Sequence, residues 1–170
     1  MTRALVPVTL MTLVVVGLQL AIFSTLRVEG VVVMLVWLWP AVMGLMGFTS
    51  IAVVVAMESG FFFDTHSAAP FGLTIVVGVV LAWLASRLGR EGVGDLDSAA
   101  WWVTPVLAAV AGAVAPFLYV ALGYLELNGT LWRGSVLASA EVNAVAFFVL
   151  ARPVARLARS VGRVGERVRR

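Results

Sequence analysis

The sequence predicts an all-α integral membrane protein built as a six-helix transmembrane bundle, and three observations carry that expectation. Hydrophobic residues make up 62% and charged residues 12% of the 170, with a mean hydropathy of +1.05; a soluble domain runs at about half apolar and a quarter charged. The apolar residues collect in runs of the length a bilayer core demands, roughly 20 residues at 1.5 Å rise per residue. The arginines collect between those runs and beyond the last one. This composition excludes a water-soluble enzyme, a secreted disulfide scaffold and a free nucleic-acid binder. The absence of Cys also removes zinc-thiolate, iron-sulfur and thiol chemistry.

The first span is expected over residues 4–26. It carries no charge, Pro7 fits its first turn, and no small-x-small cleavage site follows it, so it reads as a retained helix and not a removed signal peptide. Residues 31–63 carry one charge, Glu58. A single helix of that length would reach ~50 Å, too long for one span. Two short tilted helices, 31–46 and 49–63, fit better, with the break near Gly44-Leu-Met-Gly47-Phe-Thr-Ser50 and a kink at Pro40. A polar turn from Asp64 to Pro70 precedes the fourth span, 71–86. A charged loop with Arg87, Arg90, Glu91, Asp95 and Asp97 follows. Trp101 and Trp102 open the fifth span, 101–124, as interfacial aromatics do. The sixth, 131–151, is expected to end at Arg152-Pro153 and to leave residues 152–170 as a basic cytoplasmic tail.

All 12 basic residues are Arg. Arg152, Arg156, Arg159, Arg163, Arg167, Arg169 and Arg170 stand against one acid, Glu166, so the tail carries +6; the rest of the chain, with five Arg and eight acids, carries −3. The tail reads either as a positive-inside signal or as a segment lying on anionic membrane lipid, and both readings place it in the cytoplasm. Six spans put both termini there, with Arg3, Arg87, Arg90 and the seven tail arginines inside against Arg27 and Arg133 outside. Five spans with the N-terminus outside exchange Arg3 for Arg27 and score the same. Only helix length separates the two.

Strongly polar residues within the spans are Gln19, Glu58, Glu141 and Asn143, with Asp64 and Glu126 near the outer boundary. A charge at mid-membrane is costly unless paired, hydrated or neutralised, which makes each a functional candidate. Their pattern suits no catalysis: His66 stands alone in a polar turn, and there is no metal-binding spacing, nucleophile triad or phosphate loop. No cofactor is expected. Glu141 and Asn143, mid-helix in the sixth span, suit either interhelical hydrogen bonding or a proton or ion path. Without a relay of further acids, the structural reading is favoured.

Ala56, Gly60 and Asp64 recur every four residues and form one stripe of the third span, where small residues let another helix come close. Glu58 points to roughly the opposite side. Shorter stripes are Ala108, Gly112 and Pro116 on the fifth span, and Gly17 with Ala21 on the first. On this reading Gly60→Leu pushes helices apart and Gly60→Ala is nearly silent. The Asp64 carboxylate is expected to bond backbone N–H groups of the turn or the start of the next helix.

The stretch Glu-Ser-Gly60-Phe-Phe-Phe-Asp64-Thr-His-Ser-Ala-Ala-Pro-Phe-Gly72-Leu-Thr resembles the rod shape-determining protein MreD family. That family typically shows a glycine four before an aspartate at the end of a central helix, then a short turn and Gly-Leu opening the next helix. Gly60, Asp64, Gly72 and Leu73 match those places. Many members have a further glycine where this chain has Ala56, and Glu58 is less usual. The early Gln19, the chain size and the basic end also agree.

The resemblance implies a non-enzymatic scaffold subunit of the bacterial cell-elongation complex in the cytoplasmic membrane, with a fold similar to the substrate-binding subunits of energy-coupling-factor transporters. The implied partners are the bitopic protein MreC, the RodA glycosyltransferase with its class B penicillin-binding protein, and, indirectly, MreB. The alternative is a small-solute, vitamin-binding transporter subunit, which would need convergent polar groups in an outward pocket. The sequence offers Glu58, Asp64, Tyr119, Glu126 and Asn128 at most.

Overall fold

The computed structural model describes residues 2–23, 25, 27–28, 31–67, 70–91, 102–122 and 136–167. Six α-helices lie in that part: α1 Thr2–Leu18, α2 Leu35–Leu45, α3 Thr49–His66, α4 Leu73–Arg90, α5 Val103–Ala121 and α6 Ala138–Arg167. Helix α1 continues as a π-helical turn, Gln19–Phe23. Four stretches are long and apolar enough to cross a membrane: Val6–Phe23, Leu73–Arg90, Val103–Ala121 and Ala138–Arg159. The charged loop over 92–101, and the expected end of the fifth span and start of the sixth over 123–135, lie outside the described residues.

Six helices thus occupy the places of the six expected spans, but α2 is too short to cross. Its 11 residues rise about 16 Å, roughly half of a hydrocarbon core. The chain takes up the missing length in a hairpin. Strands β1 Arg27–Val28 and β2 Val31–Val32 pair antiparallel, Arg27 opposite Val32, so the helix begins only at Leu35. Every residue of α2 is buried, with α1, α3, α4 and α6 packed around it. A helix apolar on all sides has no water-facing stripe and settles in the interior. Helix α3 is 18 residues long and carries Glu58, Asp64 and His66.

The break between α2 and α3 falls at Met46–Phe48, inside the expected segment. Gly47 takes φ +83° there, and the Gly47 and Phe48 amides turn back to Gly44 O and Met43 O at 2.9 and 3.1 Å. At Pro40, where a kink was expected, α2 runs on as one helix. Proline has no N–H for the Val36 carbonyl four residues earlier. Ser59 Oγ of α3 lies 3.3 Å from that carbonyl and 3.3 Å from Ala56 O of its own helix, so its one proton is shared between the two.

Contacts between helices fix their directions. Thr12 meets Trp39, and Gln19 meets Leu35, so α1 and α2 are antiparallel. Ser59 beside Val36 makes α3 antiparallel to α2. Gly60 against Ile75 and Ala56 against Gly78 make α4 antiparallel to α3. Asn143 of α6 bonds the Met34 amide at the start of α2, and Phe147, Ala151, Ala155 and Ala158 stay buried, so α6 runs alongside α2. The start of α1 and the arginine-bearing ends of α4 and α6 therefore share the end of the bundle at which α2 stops. Asp64 lies at the other.

Two helices outrun their expected bounds. Helix α4 continues to Arg90, so Arg87 and Arg90 sit in its last turn and not in a loop. Helix α6 continues through Pro153 to Arg167. Residues 152–158 thus belong to the helix of the last span and not to a separate tail, because Ala151, Ala155 and Ala158 keep one face of the helix on the core.

Candidate functional site

A helix that starts inside a protein brings unpaired N–H groups with it, and α2 starts there. Two side chains foreseen as intramembrane polar residues meet that need. Gln19 Oε1 accepts from the Leu35 amide at 2.6 Å and Gln19 Nε2 donates to Val33 O at 2.9 Å. Asn143 Oδ1 accepts from the Met34 amide at 2.9 Å, and its Nδ2 donates to Ser139 O at 2.9 Å. Both side chains are fully buried. With both ends of each amide occupied, Gln19 and Asn143 tie α1 and α6 to the entrance of α2. Their arrangement is a structural clamp, with no ionisable group in it.

The Ala56, Gly60, Asp64 stripe faces α4. A Cβ on Gly60 would stand 2.7 Å from the amide nitrogen and Cα of Ile75. The expectation that Gly60→Ala is nearly silent is therefore overturned: the obstacle is backbone, and no rotamer change moves it. One helical turn earlier Ala56 meets Gly78, whose missing Cβ would lie at an ordinary 3.5 Å. One turn later Asp64, 4% exposed, accepts the Gly72 N–H on Oδ2 at 2.8 Å. Gly72 sits at φ +93°, a left-handed conformation that residues with a Cβ rarely adopt. Leu73 is the buried first residue of α4. The carboxylate thus closes the α3–α4 connection from its inner side, bonding the start of the next helix as expected. Its Oδ1 is buried without a hydrogen-bond partner, and Tyr119 of α5 lies within electrostatic reach.

Glu58 is half-buried on α3, away from that stripe. Its Oε1 accepts from Thr9 Oγ1 of α1 at 3.3 Å, while Oε2 is buried and unpartnered. Glu141 is an exposed residue near the start of the described part of α6, whose preceding residues 131–135 lie outside the described residues. His66 is exposed at the end of α3, its Nδ1 2.8 Å from Phe62 O, a local contact. Arg152 and Arg156 are exposed, and Arg159 is half-buried. Arg163 and Arg167 continue α6, and Arg169 and Arg170 lie outside the described residues. Among the described residues no group of three or more His, Cys, Asp or Glu is placed to hold a metal ion.

Hydroxyl residues inside the spans were not foreseen as contacts. Thr12 Oγ1 accepts the Trp39 indole N–H at 3.2 Å and donates to Val8 O at 2.9 Å, and Ser59 serves the carbonyl freed by Pro40. The signal was available: a proline inside a buried helix predicts an orphan carbonyl four residues back, and a neighbouring hydroxyl is the economical donor. No family model, no curated protein and no solved structure matches the chain.

Proposed function

We propose that this chain is a non-enzymatic scaffold subunit of the bacterial cell-elongation complex, similar to MreD, in the cytoplasmic membrane with both termini cytoplasmic. One observation supports it most: the residues that carry the resemblance, Gly60, Asp64, Gly72 and Leu73, are those that fasten α3 to α4 through a backbone contact and a buried carboxylate bond. A chain whose most specific segment is spent on helix packing suits a rigid platform for partner proteins. The partners on this reading are an MreC-like bitopic protein, RodA with its class B penicillin-binding protein, and MreB indirectly. The proposed topology is supported by the arginine-bearing ends of α4 and α6 lying at one end of the bundle together with the start of α1, taken with the positive-inside rule.

A second reading, a small-solute binding subunit like those of energy-coupling-factor transporters, is favoured by Asp64 Oδ1, a buried acceptor without a partner beside Tyr119. Affinity purification from native membranes separates the two. The scaffold reading expects an MreC-like protein to co-purify in near-stoichiometric amount. A bound vitamin or other small solute, with no such protein, sinks it. Reporter fusions before Thr2 and after Arg170 that land on opposite sides of the membrane remove the proposed topology.

A further inference from the structure

The outer face of α6 changes character along its length. Val145, Phe148 and Val149 are 64%, 52% and 61% exposed, and the next turns on the same face bring the exposed Arg152 and Arg156. Residues three, four, seven and eleven apart share one side of a helix, so a single stripe passes from apolar to basic. The adjoining face, with Ala151, Ala155 and Ala158 at 1–2% exposure, is held on the core, and the stripe cannot rotate out of place.

The depth of the change is set by the neighbouring helices. Met34 at the start of α2 is bonded to Asn143 of α6, and Gly44 lies at the far end of α2, ten residues or about 15 Å further along. Gly44 packs against Ala82 and Ala85 of α4. Those two residues flank Trp83, which is 50% exposed and stacks under the Arg87 guanidinium at 5.7 Å. A Trp–Arg pair on α4 and an Arg–Arg pair on α6 thus stand toward the same end of the bundle, the second where an apolar stripe ends. That is the chemistry of the boundary between acyl chains and headgroups.

We propose that α6 carries a binding site for an anionic phospholipid, its acyl chains along Val145, Phe148 and Val149 and its headgroup phosphate on Arg152 and Arg156. An apolar stripe running straight into the basic pair fits a lipid, which carries both chemistries in one molecule; an acidic soluble protein would use only the arginines. Two exposed guanidiniums one turn apart offer forked donors to phosphate oxygens. The site is independent of the scaffold reading.

Native mass spectrometry of the full chain in neutral detergent tests this, with phosphatidylglycerol, phosphatidylcholine of the same acyl chains, and glycerol phosphate as probes. Phosphatidylglycerol should bind and raise the melting temperature, while the other two should do neither. Arg152→Gln with Arg156→Gln should weaken phosphatidylglycerol binding roughly tenfold or more, at about 1 kcal/mol per charge near the surface. The double Lys variant, which keeps the charges, should retain most of it, as should Arg163→Gln with Arg167→Gln, which lie further from the acyl stripe. Binding is read on the folded monomer, so loss of folding is not scored as loss of lipid. Equal binding of phosphatidylcholine, competition by glycerol phosphate at equal concentration, or undiminished phosphatidylglycerol binding by the double Gln variant overturns the proposal.

Discussion

Gly60→Ala is the smallest change that tests how α3 and α4 are joined. The added Cβ would lie 2.7 Å from the nitrogen and Cα of Ile75 and 2.8 Å from its Cγ1. Ordinary contact begins near 3.4 Å, so the helices must part by about 0.7 Å along that line. The same movement loosens the Ala56–Gly78 contact and pulls on the 2.8 Å bond from the Gly72 N–H to Asp64, which at about 3.5 Å would no longer count as one. Overpacking of this kind costs about 1–3 kcal/mol. Alanine returns up to about 1 kcal/mol through its helix propensity, leaving a net loss of about 0–2 kcal/mol against the parent and about 1–3 kcal/mol against a glycine-to-alanine change that meets no obstacle. Unfolding by titrated dodecyl sulfate in a mild detergent, followed by tryptophan fluorescence, measures it. Gly17→Ala is the control: Gly17 is exposed and nothing would stand within 4 Å of its Cβ, so that variant should be neutral or slightly more stable. If Gly60→Ala unfolds together with Gly17→Ala, at or above the parent, the close approach of α3 and α4 is not there and the packing argument fails.

Gln19→Leu keeps the bulk but strips the partners of the Leu35 amide and the Val33 carbonyl; two buried backbone groups left open should cost about 2–4 kcal/mol by the same unfolding assay. Asn143→Leu should do similar damage through the Met34 amide, and a cost below about 0.5 kcal/mol for both would dismiss the clamp on α2. Ser59→Ala returns the Val36 carbonyl to its unpaired state and should cost about 1 kcal/mol, whereas an unchanged midpoint would mean that Pro40 needs no such partner. For Asp64, Asn retains an acceptor for the Gly72 N–H while Leu does not, so Asp64→Asn should support cell-shape complementation far better than Asp64→Leu; equal damage with both proteins accumulating normally would assign the role to charge.

Composition by itself determined that this chain is a helical membrane protein, because 62% apolar residues cannot be covered by the polar surface a soluble fold needs. It also located most helices to within a few residues, since charges and glycines interrupt the apolar runs where the chain turns. The break near Gly47 and the bond from Asp64 to the start of the next helix were both legible, each being a local matter of turn chemistry. What the sequence left open was decided by neighbours in space. Hydropathy cannot distinguish a helix facing lipid from one facing other helices, both environments being apolar, so α2 read as a span although it is an 11-residue core walled in by four others. The same blindness hid the duties of Gln19 and Asn143, whose partners around the start of α2 lie 14 to 109 positions away, and the distance at which Gly60 meets Ile75. Pro153 looked like a helix end; packing of Ala151, Ala155 and Ala158 on the core outweighed the one hydrogen bond a proline removes, and only the assembled bundle supplies that packing.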